Sequence, residues 1–274
     1  MNFYIFTDLD GTLLDYNNYS FGDLGSYIKE IKDRVEIIYN TSKTFSEVLY
    51  LNNKLKINFP FIVENGSCIF FPKGYLEKKE IDKNFFEYEN YHGYRLTKYT
   101  SENFVDSFSN LKSKYNFSFY SELKENKLAE ITNLNFSDIK RSKKRLFTNP
   151  IFWEDTKKNL LNFKSDISLH DKNLKILKGG RFFHVLDNYD KGIALKKFIK
   201  IINPLNKSSL TTISLGDSEN DLSMLKLTDY SCVIKSKKKK IFLKKNKNYY
   251  SKNKAPNGWK ESLEYVFNME KKNF

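Results

Sequence analysis

The chain opens with a short apolar run that ends in two closely spaced aspartates. Residues 2–7 read NFYIFT, and DLDGT follows directly, with Asp8 and Asp10 one residue apart. An aromatic-rich run of this length predicts a buried strand. Two carboxylates crowded at its end repel each other unless a cation such as Mg²⁺, which prefers oxygen ligands, lies with them. The pattern therefore indicates a cation site, or else a turn in which Asp10, Gly11 and Thr12 only reverse the chain and cap a helix.

Apolar runs and helical patterns alternate along much of the remaining chain. The other runs predicted as strands are 35–39, 61–63, 68–71, 210–215 and 231–234. The segments predicted as helices are 45–55, 192–201 and 221–227. This alternation is typical of a doubly wound α/β fold, in which helices cover both faces of a mostly parallel sheet.

The middle of the chain has a different pattern. Residues 82–187 combine aromatic-rich polar stretches with two predicted helices and two possible strands. The helices are 102–115 and 137–144, and the strands are 117–120 and 182–186. We interpret this part as a separate α+β domain, residues 82–187, inserted into a sheet domain formed by residues 1–81 and 188–274.

A second acidic cluster follows a later strand. In LGDSEND, residues 215–221, Asp217 comes directly after an apolar run and Asp221 lies at the start of a predicted helix. Asp221 alone would be a helix cap. In an open α/β sheet, however, ligands bind outside the carboxyl ends of the strands. Together with the first pair, this cluster allows three carboxylates to converge on one metal ion.

Three further polar residues lie at the ends of predicted elements. Thr41 and Ser42 follow a strand and offer hydroxyl and backbone N–H donors. Lys191 lies just before a predicted helix, where a lysine is mildly unfavourable for the helix dipole unless it meets an anion. A solvated surface position is the alternative interpretation for this lysine.

These motifs, in this order, resemble those of the haloacid dehalogenase superfamily. They are DLDGT at 8–12, Thr41, Lys191 and GDSEND at 216–221. The second aspartate of the DxD pair favours the phosphatase and phosphomutase members of that superfamily. The segment between Thr41 and Lys191 resembles its type IIB cap, which dominates the choice of substrate. The resemblance implies a haloacid dehalogenase-like core with an inserted α+β cap.

Further stretches are similar to the mannosyl-3-phosphoglycerate phosphatases, and this similarity covers almost the full length. They are NTSKT (40–44), IVENGSCIFFPKGY (62–75), RLFTNPIFW (145–153), GGRFFHVLD (179–187) and APNGW (255–259). One segment departs from the pattern, because Thr148-Asn149-Pro150 stands where Ser-Glu-Pro is expected. We therefore expect the Asn149 segment, which has lost a carboxylate, to discriminate less between mannosyl and glucosyl substrates.

The resemblance implies a role for each of the core residues. Asp8 would attack phosphorus and form an aspartyl-phosphate, while Asp10 would act as general acid and then as general base. Mg²⁺ would be held by the side chains of Asp8 and Asp217 and by the backbone carbonyl of Asp10. The residues expected to bind phosphoryl oxygens are Thr41, Ser42 and the catalytic Lys191. Those expected to orient the metal shell and the lysine are Asn220 and Asp221.

The resemblance also implies a substrate and its contacts. The substrate would be mannosyl-3-phosphoglycerate, whose dephosphorylation yields the compatible solute mannosylglycerate. The glucosyl analogue and a broader set of sugar phosphates are alternatives. The residues expected to contact the sugar-glycerate are Lys43, Glu64, Asn65, Gly66, Arg145, Arg181 and His184.

Ordinary structural roles remain open for several residues of these stretches. His184 lies in a strand-like run, where a structural histidine is the alternative interpretation. For Arg145 and Arg181, the alternative is an ordinary surface position. Asn65-Gly66 and Gly179-Gly180 are also turn signals. The neighbouring Phe182 and Phe183 are more typical of a core.

The net charge of +14 and the lysine-rich segment 235–247 raise an alternative function, nucleic-acid binding. This segment lacks an interleaved aromatic pattern, and the joint abundance of Lys, Asn, Ile, Phe and Tyr is typical of a genome poor in G and C. We expect no nucleic-acid partner.

The remaining composition bears on location. No apolar run approaches about 18 residues, and no signal-peptide pattern begins the chain. Cys68 and Cys232 form no CxxC pair and suit a reducing compartment. We predict a cytoplasmic protein without a membrane partner, and the sequence carries no indication of oligomeric state.

Overall fold

The computed structural model describes residues 3–204, 210–236, 241–244 and 247–272. The strands are β1 (Phe3–Thr7), β2 (Val35–Asn40), β3 (Phe61–Val63), β4 (Cys68–Pro72), β5 (Phe85–Tyr88), β6 (Tyr91–Arg95), β7 (Phe117–Phe119), β8 (Ile151–Trp153), β9 (Lys175–Gly179), β10 (Phe182–Leu186), β11 (Thr211–Gly216), β12 (Tyr230–Val233) and β13 (Asn248–Tyr250). The α-helices are α1 (Leu24–Ile31), α2 (Phe45–Leu55), α3 (Ser101–Phe108), α4 (Glu125–Thr132), α5 (Phe136–Ser142), α6 (Lys157–His170), α7 (Lys191–Ile202), α8 (Leu222–Leu225) and α9 (Asn257–Lys272).

Within the described residues, the larger sheet has the strand order β13-β12-β11-β1-β2-β3-β4-β6-β5. Neighbouring strands from β13 to β3 are parallel, whereas β4, β6 and β5 continue the sheet in antiparallel fashion. Strand β1 lies between β11 and β2, and helices bury both faces of the sheet, which accounts for its uninterrupted apolar run. The predicted α/β fold with a mostly parallel sheet is confirmed.

Helices cover both faces of this sheet, as the alternating pattern predicts. Helices α1, α2 and α9 pack on one face, where Trp259 is fully buried and donates its indole N–H to Thr7 Oγ1 at 3.0 Å. Helices α7 and α8 pack on the other face through residues such as Phe198 and Met224. Helix α2 begins at a capping box, in which the Thr44 hydroxyl accepts from Glu47 N. These helices hold the carboxyl ends of the parallel strands at one open edge.

A smaller antiparallel sheet has the order β7-β8-β10-β9. It packs with α3 and α6 around a second apolar cluster that includes Phe104, Phe163 and Ile167. The helix expected at 102–115 ends at Phe108, and a 3₁₀ turn follows it. The two chain segments that lead into and out of this unit touch, because Lys98 N donates to Asp187 Oδ2 at 2.9 Å.

The larger sheet reaches further along the chain than the pattern indicates. Strands β5 and β6 lie within the segment 82–187 yet hydrogen-bond to the larger sheet, next to β4. Their aromatic residues pack there, with Phe85 against Tyr94 at a centroid distance of 5.2 Å. We therefore propose that the inserted cap begins after β6 rather than at residue 82, and that it ends near Asp187. None of the helices that the structure describes combines the length and the apolar character needed to cross a membrane.

Candidate active site

Three buried carboxylates meet at the carboxyl edge of the larger sheet. They belong to Asp8, Asp217 and Asp221, and each offers an oxygen that lies within 4.8 Å of the others. Asp8 follows β1 and Asp217 follows the neighbouring parallel strand β11, and Asp8 N donates to Leu215 O at 3.0 Å. An all-oxygen, anionic set of this kind fits a hard divalent cation.

The trio includes both side chains expected to hold Mg²⁺, those of Asp8 and Asp217, and adds the carboxylate of Asp221. Asp10 is expected to contribute its backbone carbonyl, and its carboxylate points to Lys43. The turn after β1 sets this direction, because Gly11 adopts a positive φ of 86°. A Cβ atom at Gly11 would lie 2.8 Å from Asp217 Oδ2, so the turn passes too close to the cluster for any side chain.

One buried ammonium, that of Lys191, contacts two of the three carboxylates. Lys191, 1% exposed, donates from Nζ to Asp8 Oδ1 at 2.7 Å and to Asp221 Oδ1 at 2.6 Å. Burial alone would lower the pKa of Lys191, but the two carboxylates outweigh it and hold the pKa above its ordinary value. The ammonium thus partly balances the negative charge that the three carboxylates bring together.

Local structure fixes this lysine in place. Lys191 is the first residue of α7 rather than the residue before it, and Asp190 caps the helix by accepting from Ile193 N at 2.8 Å. The amide of Asn40, at the end of β2, donates to Lys191 O at 2.8 Å. The ammonium therefore emerges from a helix start that is tied to the sheet.

The loop after β11 is ordered by one of its own carboxylates. Asp221 Oδ2 accepts from the backbone N–H groups of Asp217 and Ser218, each at 3.0 Å. Asn220 accepts from the Ser218 hydroxyl and donates to Asn65 Oδ1 at 3.2 Å. Asp221 and Asn220 thus orient the loop that carries Asp217, in addition to any contact with a ligand.

Asp10 belongs to a second charged group beside the first. Lys43 Nζ lies 3.1 Å from Asp10 Oδ1 and 3.2 Å from Glu47 Oε1. Asp10 lies deep in the cleft, although 31% of its side chain stays accessible. Its surroundings raise the pKa of the Asp10 carboxyl, chiefly through burial, while Lys43 opposes the rise and Asp8 and Glu47 add to it. A carboxyl with a raised pKa is suited to carry and donate a proton.

A cavity of about 130 Å³ lies between the larger sheet and the cap. The residues predicted for the site that line it are Asp8, Asp10, Ser42, Lys43, Arg145, Arg181, His184 and Asn220. Thr41 is buried just beneath, where its hydroxyl accepts from Lys43 N at 3.2 Å. Tyr16, Tyr19, Glu47 and Tyr120 also line the cavity and are missed by the motif pattern. Only Glu47 has a sequence signal, the TFSE capping box.

Glu64, Asn65 and Gly66 do not line this cavity, contrary to their expected role as substrate contacts. Glu64 is fully buried, and its carboxylate accepts from the backbone N–H groups of residues 146–148 and from the Thr148 hydroxyl. It therefore ties this segment of the cap to the core. All three residues adopt left-handed backbone conformations, which fit this tight turn.

Asn149 also lies away from the cavity wall. Its amide donates to Ser121 Oγ at 2.8 Å and to Ser101 Oγ at 3.3 Å, and its oxygen accepts from Ser121 N at 3.2 Å. The side chain is buried and fully engaged within the cap. The expectation that Asn149 reaches sugar hydroxyls therefore loses its structural basis.

The three basic cap residues that are predicted for the site differ in what they contact. Arg145 bridges to the core, with Nη2 donating to Ser42 O at 3.0 Å and Nε to Thr148 Oγ1 at 3.1 Å. Arg181 extends from the β9–β10 turn, and among the described residues it forms no ion pair with a carboxylate. His184 is 7% exposed, and its Nδ1 has no hydrogen-bond partner among the described residues.

The burial of His184 predicts a pH-dependent stability. Burial, with Arg145 and Lys191 nearby, lowers its pKa to about 3. Between about pH 3 and the ordinary histidine value of about 6.5, the unfolded chain then binds one more proton than the folded chain. The free energy of unfolding therefore falls as pH drops through this window, by about 1.4 kcal/mol per pH unit for this group.

The test compares urea unfolding of wild type and His184→Gln at pH 7 and pH 4.5. The wild type should lose about 2–3 kcal/mol more than the variant over this range. His170→Gln, at the exposed end of α6, reports the effect of losing a solvent-facing imidazole. Identical pH dependence of wild type and His184→Gln would show that His184 is not buried as a neutral group.

Comparisons with known proteins agree with this arrangement. The model of the haloacid dehalogenase-like hydrolase family matches residues 5–261. A protein from Persephonella marina, named glucosyl-3-phosphoglycerate/mannosyl-3-phosphoglycerate phosphatase, is 33% identical over 96% of this chain and 97% of its own length. A protein of the same name from Methanococcoides burtonii is 32% identical over 84% and 83%.

The likeness to solved structures concerns the fold. A haloacid dehalogenase-like hydrolase from B. subtilis superposes with a TM-score of 0.60 at 18% sequence identity. The superposition covers 95% of this chain and 96% of that one. The larger sheet and the smaller one are therefore both accounted for by a known architecture.

Proposed function

The chain belongs to the haloacid dehalogenase-like hydrolases and is a phosphoric monoester hydrolase, and we propose that its substrates are mannosyl- and glucosyl-3-phosphoglycerate. One observation carries the proposal. A single cavity places Asp8, one member of the carboxylate and ammonium cluster, together with Arg181, which has no carboxylate partner in the described part of the chain. The products would be phosphate and a hexosylglycerate, a compatible solute made in the cytoplasm.

In the proposed reaction, an oxygen of Asp8 attacks phosphorus and forms an aspartyl-phosphate. The bond from phosphorus to the glycerate oxygen breaks, and the Asp10 carboxyl, in its protonated form, gives that oxygen its proton. Lys191 and Ser42 bind phosphoryl oxygens as charge develops. Lys191 also holds the Asp8 carboxylate in position through Oδ1, so that Oδ2 would be the oxygen that attacks phosphorus.

The second half-reaction reverses the role of Asp10. Its carboxylate, now deprotonated, takes a proton from water as the water attacks phosphorus, and Asp8 leaves as a free carboxylate. Asp8, Asp217 and the Asp10 carbonyl would hold Mg²⁺, which when bound screens the repulsion between Asp8 and the phosphate. Asp221 keeps Lys191 and the Asp217 loop in place throughout both steps.

Two features support the hexosyl-3-phosphoglycerate class. The guanidinium of Arg181 can bind the glycerate carboxylate through two parallel hydrogen bonds. The Nδ1 atom of His184 can bond a sugar hydroxyl, and a site that loses such a bond rejects the analogue that lacks the hydroxyl. Both relatives carry the two hexosyl compounds in their names. We therefore propose that this chain accepts both sugars.

A phosphate-release screen tests the proposal. It compares mannosyl- and glucosyl-3-phosphoglycerate with 3-phosphoglycerate and hexose 6-phosphates, with Mg²⁺ and after treatment with EDTA. We expect both hexosyl-3-phosphoglycerates to be hydrolysed best, with kcat/KM values within about 100-fold of each other, or about 2.7 kcal/mol. Faster hydrolysis of hexose 6-phosphates would indicate a broader sugar phosphatase, and full activity after chelation would contradict the metal site.

No feature of the described residues supports nucleic-acid binding. Part of the lysine-rich segment 235–247, namely residues 237–240 and 245–246, lies outside the described residues. A gel-shift series in increasing salt separates the two functions, because binding through phosphates weakens steeply with salt.

A further inference from the structure

A tyrosine of the core reaches across the cavity to the cap. Tyr19 lies in the loop after β1, and its backbone is left-handed, with φ at 58°. The loop is held by Asp15, whose carboxylate accepts from Asn17 N at 2.8 Å and from Asn18 N at 3.1 Å, while Asp15 O accepts from Tyr19 N at 3.0 Å. A bulky residue in this conformation is uncommon, and such strain concentrates at functional sites.

The Tyr19 hydroxyl makes two hydrogen bonds to the cap. It donates to Thr132 O at 2.7 Å, and it accepts from Arg181 Nη1 at 3.3 Å. Thr132 ends α4, where the last carbonyls have no partner within the helix, so the core supplies a donor that the cap itself lacks. Burial and the nearby Asp10 raise the pKa of Tyr19, which keeps its hydroxyl protonated and able to donate.

The two aromatic rings of this loop also contact the basic residues of the site. The guanidinium of Arg181 lies over the ring of Tyr16 at 5.4 Å, and the ammonium of Lys43 lies over the ring of Tyr19 at 5.0 Å. These are distances at which a cation is attracted to a ring face. Arg181 is thus held by two neutral groups of the core, which orient it without neutralising its charge.

The cavity is small for the proposed substrate. Its volume of about 130 Å³ is below the ~300–1,000 Å³ of ordinary ligand pockets. Because Thr132 and Arg181 belong to the cap and Tyr19 to the core, a movement of the cap away from the core to admit a phosphorylated sugar-glycerate would break both hydrogen bonds of Tyr19. The bonds form again only when the cap is closed, so Arg181 is correctly oriented only in the closed state.

We infer that Tyr19 is a positioning residue which, on closure of the cap, orients Arg181 towards the carboxylate of the substrate. The inference rests on the proposed function for the identity of that carboxylate. It makes cap closure and recognition of the glycerate a single event, because one hydroxyl joins the cap helix, the arginine and the core loop. Tyr19 would then contribute to substrate choice without taking part in phosphoryl transfer.

The test uses the ratio of kcat/KM for mannosyl-3-phosphoglycerate to kcat/KM for p-nitrophenyl phosphate, which has no carboxylate. Arg181→Ala should lower this ratio strongly, and Tyr19→Phe should lower it about tenfold, the effect of losing one hydrogen bond to a charged group. In the Arg181→Ala background, Tyr19→Phe should change the ratio by less than about twofold, since the two act as a unit. Tyr115→Phe is the matched control, because it removes a hydroxyl that bonds Asp166 elsewhere in the cap.

A second readout needs no substrate. Hydrogen exchange at residues 128–134 and 176–183 should be faster in Tyr19→Phe than in the wild type or in Tyr115→Phe. Equal losses on both substrates, additive losses in the double variant, or unchanged exchange would each overturn the positioning role. A wild type that hydrolyses neither hexosyl-3-phosphoglycerate, yet shows faster exchange in Tyr19→Phe, would instead overturn the proposed substrate and leave closure by Tyr19 standing.

Discussion

Replacing Asp8 by asparagine is expected to lower kcat by at least about 10⁴-fold, the scale seen when a nucleophile is removed from a catalytic unit. The amide keeps the volume of the side chain but cannot attack phosphorus. The substitution also removes one carboxylate from the cluster of Asp8, Asp217 and Asp221, which weakens the binding of a cation there. Phosphate release and acid-quench trapping of labelled phosphoenzyme measure the two consequences separately.

Asp10→Asn is the comparison for this variant. General acid–base catalysis contributes about 10²–10⁴-fold, so this variant should be slowed less than Asp8→Asn and should still bind substrate. Because both half-reactions use Asp10, both should slow, and the steady-state level of phosphoenzyme should change far less than turnover. Labelled phosphate trapped on Asp8→Asn would assign the nucleophile to another residue and contradict the mechanism.

The strand ends that carry the site can be predicted from the sequence, because at each of them an aspartate directly follows an apolar run. The run before Asp8 and the run before Asp217 both predict strands, and parallel pairing brings their ends together, as the register of β1 and β11 confirms. The position of Lys191 at a helix start gives a weaker signal, because it conflicts with the helix dipole unless an anion lies nearby, while a solvated surface position stays open from the sequence alone. These signals are local and depend on one element at a time.

Contacts between distant segments leave no such signal. The Glu64 carboxylate bonds residues 146–148, and no local pattern distinguishes that partner from a substrate. Strand β6 joins the larger sheet by antiparallel pairing with β4, and β5 pairs with β6, although composition assigns both strands to the insertion. Tyr19 belongs to DYNNYSF, which reads as a polar loop, and its role depends on a helix end 113 residues away.

Turn geometry decides the remaining difference at the site. The spacing of Asp8 and Asp10 crowds two carboxylates at the end of β1, and the turn at Gly11 sends that of Asp10 towards Lys43. Asp221 joins Asp8 and Asp217 because its loop brings its carboxylate to the backbone N–H of Asp217. The sequence therefore predicts which strand ends carry carboxylates, while the backbone of a single turn decides which of those carboxylates meet.

Lys191→Met is expected to destabilise the cation-free protein by about 3–5 kcal/mol, the cost of removing one partner from a buried ion pair. The ammonium contacts Asp8 at 2.7 Å and Asp221 at 2.6 Å, and all three side chains are buried. Methionine keeps the apolar stem but leaves the carboxylates without their cation. Denaturant unfolding in EDTA measures the loss, and kcat should fall by about 10²–10³-fold as a phosphoryl contact disappears.

Lys43→Met tests whether the loss of stability depends on burial of the ion pair or on the removal of a positive charge alone. Lys43 also lies between two carboxylates, at 3.1 and 3.2 Å, but Asp10 retains 31% exposure and water can reach it. Its removal should therefore cost less stability than removal of Lys191. Added Mg²⁺ should raise the free energy of unfolding of Lys191→Met more than that of Lys43→Met, because only the former variant leaves an extra negative charge in the cluster that would bind the ion. Equal losses in the two variants, or equal responses to Mg²⁺, would mean that Lys191 does not balance the charge of the cation site.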